Sequence, residues 1–304
     1  MAPMRIAVTG ASGLIGSALT ASLADDGHEV VALVRRAPHG PGEARWDPEK
    51  GTVEADALAG CEAVVHLAGA PVAERRWTER RKKVLWDSRV KGTATIAKAM
   101  AALDPKPRVL VAGSAIGFYG ETGDRAVDED SPAGKGFLAD LVQAWEAAAD
   151  PAREAGIRTV HARTGLVVSP RGGAWGALFP FFRAGLGGRL GSGRQFWSFI
   201  ALEDEIAALR FALDHDELSG PVNLTAPEPR TNKEVTEAMG RVLHRPTVLP
   251  VPGFALRAVL GEFAGDVTGS QRVRPKRLLD AGFAFAHPDI DGAIKAALPP
   301  PNRV

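Results

Sequence analysis

Cysteine and tyrosine each occur once in this 304-residue chain, at Cys61 and Tyr119. A single cysteine excludes an intramolecular disulfide and gives no sign of a disulfide-stapled secreted domain. A single tyrosine leaves one phenol for acid–base chemistry anywhere in the molecule. No apolar run approaches the ~18–20 residues of a membrane-crossing helix. The opening "MAPMRIAVTG" runs straight into a strand-like stretch without the apolar core of a signal peptide, so a cytoplasmic location is expected. Net charge is only +1, so nothing global directs the chain to nucleic acid or an anionic membrane. No spacing of His, Cys, Asp and Glu resembles a metal site, and none is expected. Nothing in the sequence sets an oligomeric state.

What is present is an ordinary globular composition, 45% hydrophobic and 24% charged, able to bury a large core. Short β-branched runs, "RIAV" (5–8), "EVVALV" (29–34), "AVVHLA" (63–68), "RVLVAG" (108–113) and "RTVHAR" (158–163), are bounded by turn residues. They read as strands buried on both faces. Helical patterns fall between them at 14–26, 79–101 and 135–155. This alternation predicts an α/β fold with a doubly wound, mostly parallel sheet. After residue 168 the texture changes: 169–199 is rich in glycine, aromatics and arginine. Further on, "RTNKEVTEAMGRVL" (230–243) predicts a helix capped by Thr231, followed by a proline-rich crossing, "HRPTVLPVPG" (244–253). The tail "LPPPNRV" (298–304) cannot continue a helix and should fray. The expected division is a nucleotide-binding domain over 1–168, with returning segments near 200–226, and a smaller C-terminal α/β substrate region over 169–304.

The stretch "TGASGLIG" (9–16) joins the first strand to the first helix. Gly10 permits the tight turn, Gly13 lets a pyrophosphate approach the backbone, and Gly16 lets the helix pack close to the sheet. Ser12, Leu14 and Ile15 would then line the phosphates at the helix N-terminus, where unpaired N–H groups and a partial positive charge favour anions. A glycine triplet alone is weak, since glycine turns often end strands; the strand–loop–helix–strand context strengthens it. An NAD site usually carries an acid ~20 residues on, for the ribose 2′-hydroxyl. Here that position reads "LVRRAP", with Arg35 and Arg36 at 19 and 20 residues after Gly16. A guanidinium suits a 2′-phosphate, which favours NADP(H) over NAD. The plainer alternative is that the arginines solvate a strand end.

"TGASGLIG" resembles the TGxxGxxG loop of the short-chain dehydrogenase/reductase superfamily. "VVHLAGAP" (64–71) resembles its fourth-strand motif, which implies that Leu67, Ala68 and Gly69 line the cofactor. "GSAIGFYG" (113–120) is similar to the serine strand of extended, nucleotide-sugar-epimerase-like members. "RTGLVVSPRGG" (163–173) and "FIALEDEIAAL" (199–209) match further elements of that branch. "ERRWTERRKKVLWDSRVKGT", "GSGRQFWSFIALED" and "QRVRPKRLLDAGFAFAHPDI" resemble the atypical "epimerase family protein" subgroup, the 39U class. The resemblance covers nearly the whole chain. It implies a Rossmann-type domain, NADP(H) binding and a small C-terminal domain, with Val84, Arg89, Ser114, Arg163 and Val167 also facing the cofactor.

Members of that superfamily usually move a proton with a Tyr-x-x-x-Lys dyad beside the nicotinamide. Four residues after Tyr119 lies Gly123, so the dyad is absent. Setting Glu146 against the helix acid of the extended branch puts Ala139 and Gln143 in the dyad positions; small shifts offer only Phe137, Asp140 or Leu141. Arg89 replaces the asparagine of the branch's Asn-Val-x-Gly-Thr motif, and could reach a cofactor phosphate, a ribose or a substrate anion. Ser114 is the catalytic serine candidate, although counting back from Tyr119–Gly120 places Ala115 in that slot. Tyr119 is the candidate acid, against the plainer reading that it packs under the loop. Glu121 and Asp124 follow it as carboxylates that are solvated unless a pocket lies near.

"ERRWTERRKK" (74–83) is basic around Trp77, and reads better as a solvated helix start than as a nucleic-acid contact. Trp77, Tyr119, Arg194 and Trp197 are the predicted substrate contacts, with Trp175, Phe179, Phe182 and Phe196 as further aromatics. The alternative for most of these aromatics is the core of the C-terminal region. His66 and His161 should be core histidines. The expected function is an NADP(H)-dependent oxidoreductase or epimerase-like enzyme for a small carbonyl or hydroxyl compound, anionic or neutral. The alternative is a catalytically silent NADP(H)-binding sensor or interaction protein, motivated by the missing dyad.

Overall fold

The first strand, β1 (Arg5–Thr9), is followed by α1 (Leu14–Asp25), β2 (Glu29–Val34), β3 (Glu43–Asp47), β4 (Thr52–Val53) and β5 (Ala63–His66). Then come α2 (Glu79–Ala101), β6 (Val109–Ala115), α3 (Phe137–Ala147), α4 (Asp150–Glu154), β7 (Arg158–Thr164) and β8 (Leu166–Val168). The rest holds α5 (Gly173–Arg183), β9 (Phe196–Trp197), β10 (Phe199–Ala201), α6 (Leu202–Asp214), β11 (Gly220–Leu224), β12 (Arg230–Thr231) and α7 (Asn232–Leu243). Short helices α8 (Gly253–Leu260), α9 (Ala264–Thr268), α10 (Lys276–Asp280) and α11 (Ile290–Ala296) end it. This computed structural model describes residues 3–54, 56–73 and 76–299. The last five residues of the tail, whose fraying the sequence predicts, lie outside them.

Eight of the strands form one sheet in the order β11-β7-β6-β5-β1-β2-β3-β4, parallel except for the β3–β4 pair, while β8 pairs with β10 and β9 with β12 in two short ladders. Both faces are covered, which explains the continuous apolar runs. Ile6, Val8, Val65, Val109, Val111 and Val160 pack against Leu19 and Leu23 of α1 and Leu209 and Leu213 of α6. Their strand neighbours Ala7, Val64, Leu110 and Ala112 point the other way, against Ile96, Ala97 and Met100 of α2 and Ala149 and Ala152 around α4. A second core gathers Trp175, Phe179, Trp197, Phe199, Val235, Met239, Ile290 and Ile294. Two buried carboxylates tie the C-terminal segment down. Glu129 accepts the N–H groups of Asn223, Lys276 and Arg277, and Asp204 those of Ala286 and His287.

Two elements differ from the sequence reading. The helix expected over 135–155 is broken into α3 and α4, because Pro151 sits in the first turn of α4 and cannot supply the N–H a continuous helix needs. The strand expected to reach Ala68 stops at His66, where the chain turns so that Leu67 N and Ala68 N donate to Thr9 Oγ1 at 3.1 and 3.2 Å.

Thr231 caps α7 with a full capping box: its hydroxyl accepts from Glu234 N, and the Glu234 carboxylate accepts from Thr231 N at 2.7 Å. Replacing Thr231 by alanine is expected to cost about 1 kcal/mol in urea unfolding, with Thr231→Ser near neutral. Equal losses in both variants would show that the cap contributes nothing.

Candidate functional site

The strand order reverses between β1 and β5, and in open α/β sheets ligands bind at the carboxyl ends of strands around such a switch point. The glycine loop lies there. Gly10 has φ +70°, and a Cβ on it would meet Leu67 C at 2.9 Å, so only glycine lets the loop lie flat on the end of β5. A Cβ on Gly16 would stand 2.1 Å from Gly10 O, so α1 can rise this close to the loop only with glycine there. Gly13 N donates to Gly10 O at 2.9 Å and Gly13 is the N-cap of α1. No side chain caps that helix and its first turn holds no acid, so the N–H groups around Leu14 and Ile15 stay open to an anion. Ser12 and Gly13 are exposed, while Leu14 and Ile15 are half-buried.

Arg35 and Arg36, both exposed at the end of β2, differ in what holds them. Arg36 is bidentate on Glu43, at 2.7 and 2.5 Å, and this pairing draws the Glu43 carboxyl down to about 2. Its guanidinium is therefore already engaged, contrary to a shared role with Arg35. Arg35 makes no hydrogen bond or ion pair among the described residues, which leaves it as the available guanidinium.

Past the end of β5, Leu67 and Ala68 lie directly against Gly10, and Arg89 of α2 lies beneath Gly69. Val84 is 43% exposed near the start of α2, and Val167 is half-buried on β8.

The polar residues expected to do chemistry are turned inward. Ser114 Oγ donates to Glu146 Oε1 at 2.6 Å. Arg163, its neighbour across the β6–β7 register, clamps the same carboxylate with Nε and Nη2 at 2.7 and 2.8 Å. Arg163 Nη1 donates to the Tyr119 hydroxyl at 2.9 Å, and that hydroxyl donates to Asn223 Oδ1 at 2.8 Å. Arg163 is thus committed to protein partners at 3% exposure, which contradicts its expected cofactor contact. Tyr119 is 1% exposed, and burial raises its phenol to about 12, so the one phenol is a sealed network member and not a poised acid. Nor does α3 restore a dyad: Ala139 is buried and Gln143 Nε2 donates to the Ala139 carbonyl.

The predicted substrate aromatics separate likewise. Trp197 lies edge-on to Trp175 at 6.2 Å and is 7% exposed, so it is core and not pocket wall. Trp77 is also closed in, packed on Phe137 at 5.2 Å and Phe263 at 5.1 Å, with Nε1 donating to Val72 O. Only Arg194 of this set is exposed. Glu121 holds Gly123 N and Ser270 N with its two oxygens, and Asp124 is solvent-exposed. His66 is fully buried, its Nδ1 against Thr9 Oγ1 at 2.8 Å, and burial lowers it to about 4. His161 is also drawn down by burial. Asn223, Glu129 and Glu205 are buried polar residues that no motif marks. The available signal was a polar residue inside an apolar period: "PVNL" in a strand, and a glutamate on the core face of α6.

Sheet order, switch point and glycine cradle define a dinucleotide-binding α/β protein of Rossmann type. Residues 6–224 match the model of the NAD dependent epimerase/dehydratase family, and residues 251–297 match a domain of unknown function, DUF1731. The chain belongs to the NAD dependent epimerase/dehydratase family. It is 49% identical to an epimerase family protein of Mycobacterium bovis, over 99% of this chain and 100% of that one. It is 37% identical to human epimerase family protein SDR39U1, over 96% of this chain and 99% of that one. The crystal structure of that human protein (isoform 2) with NADPH superposes with a TM-score of 0.89 at 36% identity, covering 97% of this chain and 99% of that chain. Among the described residues, no helix is long and apolar enough to cross a membrane.

Proposed function

We propose that the protein is an NADP(H)-dependent oxidoreductase or epimerase-like enzyme acting on a small molecule in the cytoplasm. The observation that carries the cofactor choice is Arg35: an uncommitted guanidinium at the end of β2, where an NAD site would place an acid. The NADPH-bound human relative supports the same choice. In this reading the backbone from Gly10 to Gly16 holds the pyrophosphate and Arg35 the 2′-phosphate. Leu67 to Gly69 wall the crevice, and the region after residue 168 supplies the substrate side, with Arg194 as its exposed cation. Bound there, the nicotinamide supplies the hydride chemistry; the protein orients it and excludes water.

Fluorescence titration is expected to show tighter binding of NADPH than NADH. Arg35→Asp should weaken NADPH at least tenfold, the worth of a charge-assisted hydrogen bond, and leave NADH nearly unchanged. Equal affinities in the native protein would overturn the 2′-phosphate assignment. One observation favours a second reading, a sensor that binds NADP(H) without turnover: the only phenol is sealed in the Arg163 network. Saturable NADPH binding with no NADPH oxidation across a panel of carbonyl compounds would decide for it.

A further inference from the structure

Of the eight large hydrophobic side chains exposed among the described residues, six lie on two segments. Phe181 and Leu186 flank the end of α5, and Val248, Leu249, Phe254 and Val259 belong to the proline-rich crossing and α8. The fold joins these segments. Arg245 Nε donates to Arg183 O and Val251 N to Arg189 O, each at 2.9 Å, and a Cβ on Gly185 would lie 3.6 Å from the Pro246 ring. No residue of α8 is buried. Single exposed hydrophobics are ordinary in a soluble protein, whereas six on adjoining segments mark a contact surface. Charge is unevenly placed too. The chain as a whole carries +1, yet no Asp or Glu occurs from Ser169 to Leu202 or from Ala238 to Gly261. Arg183, Arg189, Arg245 and Arg257 are exposed there and make no ion pair among the described residues. Glu262, the first acid beyond α8, is held by Lys82 at 2.7 Å.

Shape and charge together choose the occupant. A peptide groove is walled by half-covered side chains, but Phe254, Val248 and Val259 are 77%, 75% and 70% exposed and project from the surface. A second copy packed on this face about a two-fold axis would set the unpaired arginines against their like. A nucleic-acid backbone suits the arginines but gives projecting apolar side chains nothing to enter. An anionic bilayer suits both, with phosphates for the arginines and an acyl boundary for the apolar tips. We propose that this face seats the protein on the surface of an anionic lipid bilayer, with Val248, Phe254 and Val259 entering the headgroup region. The long arginine stems keep the guanidinium groups at phosphate level while the apolar tips go deeper. The contact is peripheral, because no described helix is long and apolar enough to cross a membrane. It is independent of what the crevice at the glycine loop binds.

Co-sedimentation of the full chain with phosphatidylcholine vesicles, with and without phosphatidylserine, tests this. The native chain should bind the anionic vesicles at least about fivefold more tightly than the neutral ones, and lose that excess as salt is raised. Val248→Ser with Phe254→Ser should weaken anionic binding at least about tenfold, and Arg245→Gln with Arg257→Gln at least about fivefold. Leu279→Ser, an exposed apolar position outside these segments, should bind like the native chain. All the substituted side chains are exposed, so the variants should melt with the native chain; if the double serine variant melts early, Phe254→Ala alone should still weaken binding. No preference for anionic vesicles would overturn the proposal. So would anionic binding that the serine replacements leave intact, since the apolar tips would then take no part. Sedimentation velocity of the free chain covers the remaining occupant. A dimer that the serine replacements dissociate, without vesicle binding, would make this face an interface between copies and overturn the proposal.

Discussion

Replacing Glu205 by glutamine is expected to abolish a fall in stability that the native protein shows as pH rises from about 5 to 8. Glu205 is fully buried at the start of α6. Its Oε1 accepts from Thr164 Oγ1 at 2.8 Å, and its Oε2 is sealed without a partner. Burial raises this carboxyl from its ordinary 4.5 to about 8, so the native state holds a neutral acid where the unfolded chain holds a carboxylate. The sign follows from proton counting. Below 4.5 both states are protonated, and the group imposes no penalty. Between 4.5 and 8 only the native state keeps the proton, so stability declines with rising pH. Above that range both are ionised and the penalty is constant. The whole decline amounts to a few kcal/mol. Glutamine keeps the shape and the acceptor for Thr164 and cannot ionise. Urea unfolding at pH 5, 6, 7 and 8 should show the variant gaining on the native protein at each step. Parallel curves would mean that Glu205 is ionised or solvated in the folded state.

Glu205 also marks the limit of what the sequence showed. Strand positions were legible because a sheet covered on both faces selects unbroken β-branched runs such as "RIAV" and "EVVALV". Thr231 was legible because a cap and its Glu234 partner lie three residues apart. The glycine cradle was legible for the same reason, its contacts being local apart from that with Leu67. Side-chain partnership across the fold was not. Tyr119 and Asn223 are 104 residues apart, and Thr164 and Glu205 are 41 apart. Without the register of β6, β7 and β11, nothing in the chain says which polar groups meet. The sequence therefore points Arg163 to the cofactor and Trp197 to the substrate, whereas burial commits each to the interior. Arg36 failed for a different reason: its partner Glu43 is near in sequence, but the strand pairing of β2 and β3 is what brings them together.

Replacing Arg163 by methionine is expected to cost about 3–5 kcal/mol, a large share of the ~5–15 kcal/mol that a typical protein has in total. The substitution leaves the Glu146 carboxylate, only 13% exposed, without its cation and with Ser114 as its remaining donor. It also removes a donor from Tyr119 and uncovers the Phe118 ring, which the guanidinium carbon overlies at 3.5 Å. Through Tyr119 and Asn223 the loss reaches the C-terminal segment, where Asn223 Nδ2 donates to Arg274 O at 3.0 Å. The double variant Arg163→Met with Glu146→Leu should recover most of the loss, since a buried pair replaced by apolar groups is close to neutral, whereas half a pair is not. Chemical unfolding of the two single variants and the double one gives the coupling directly. A cost below about 1 kcal/mol for Arg163→Met would mean that Glu146 is solvated or protonated once its partner is gone. The cycle also bears on catalysis. Lost activity in a Tyr119 or Arg163 variant therefore implicates chemistry only when the folded fraction is unchanged. Measured alongside NADPH binding, the stability cycle separates a residue that holds the fold from one that reacts.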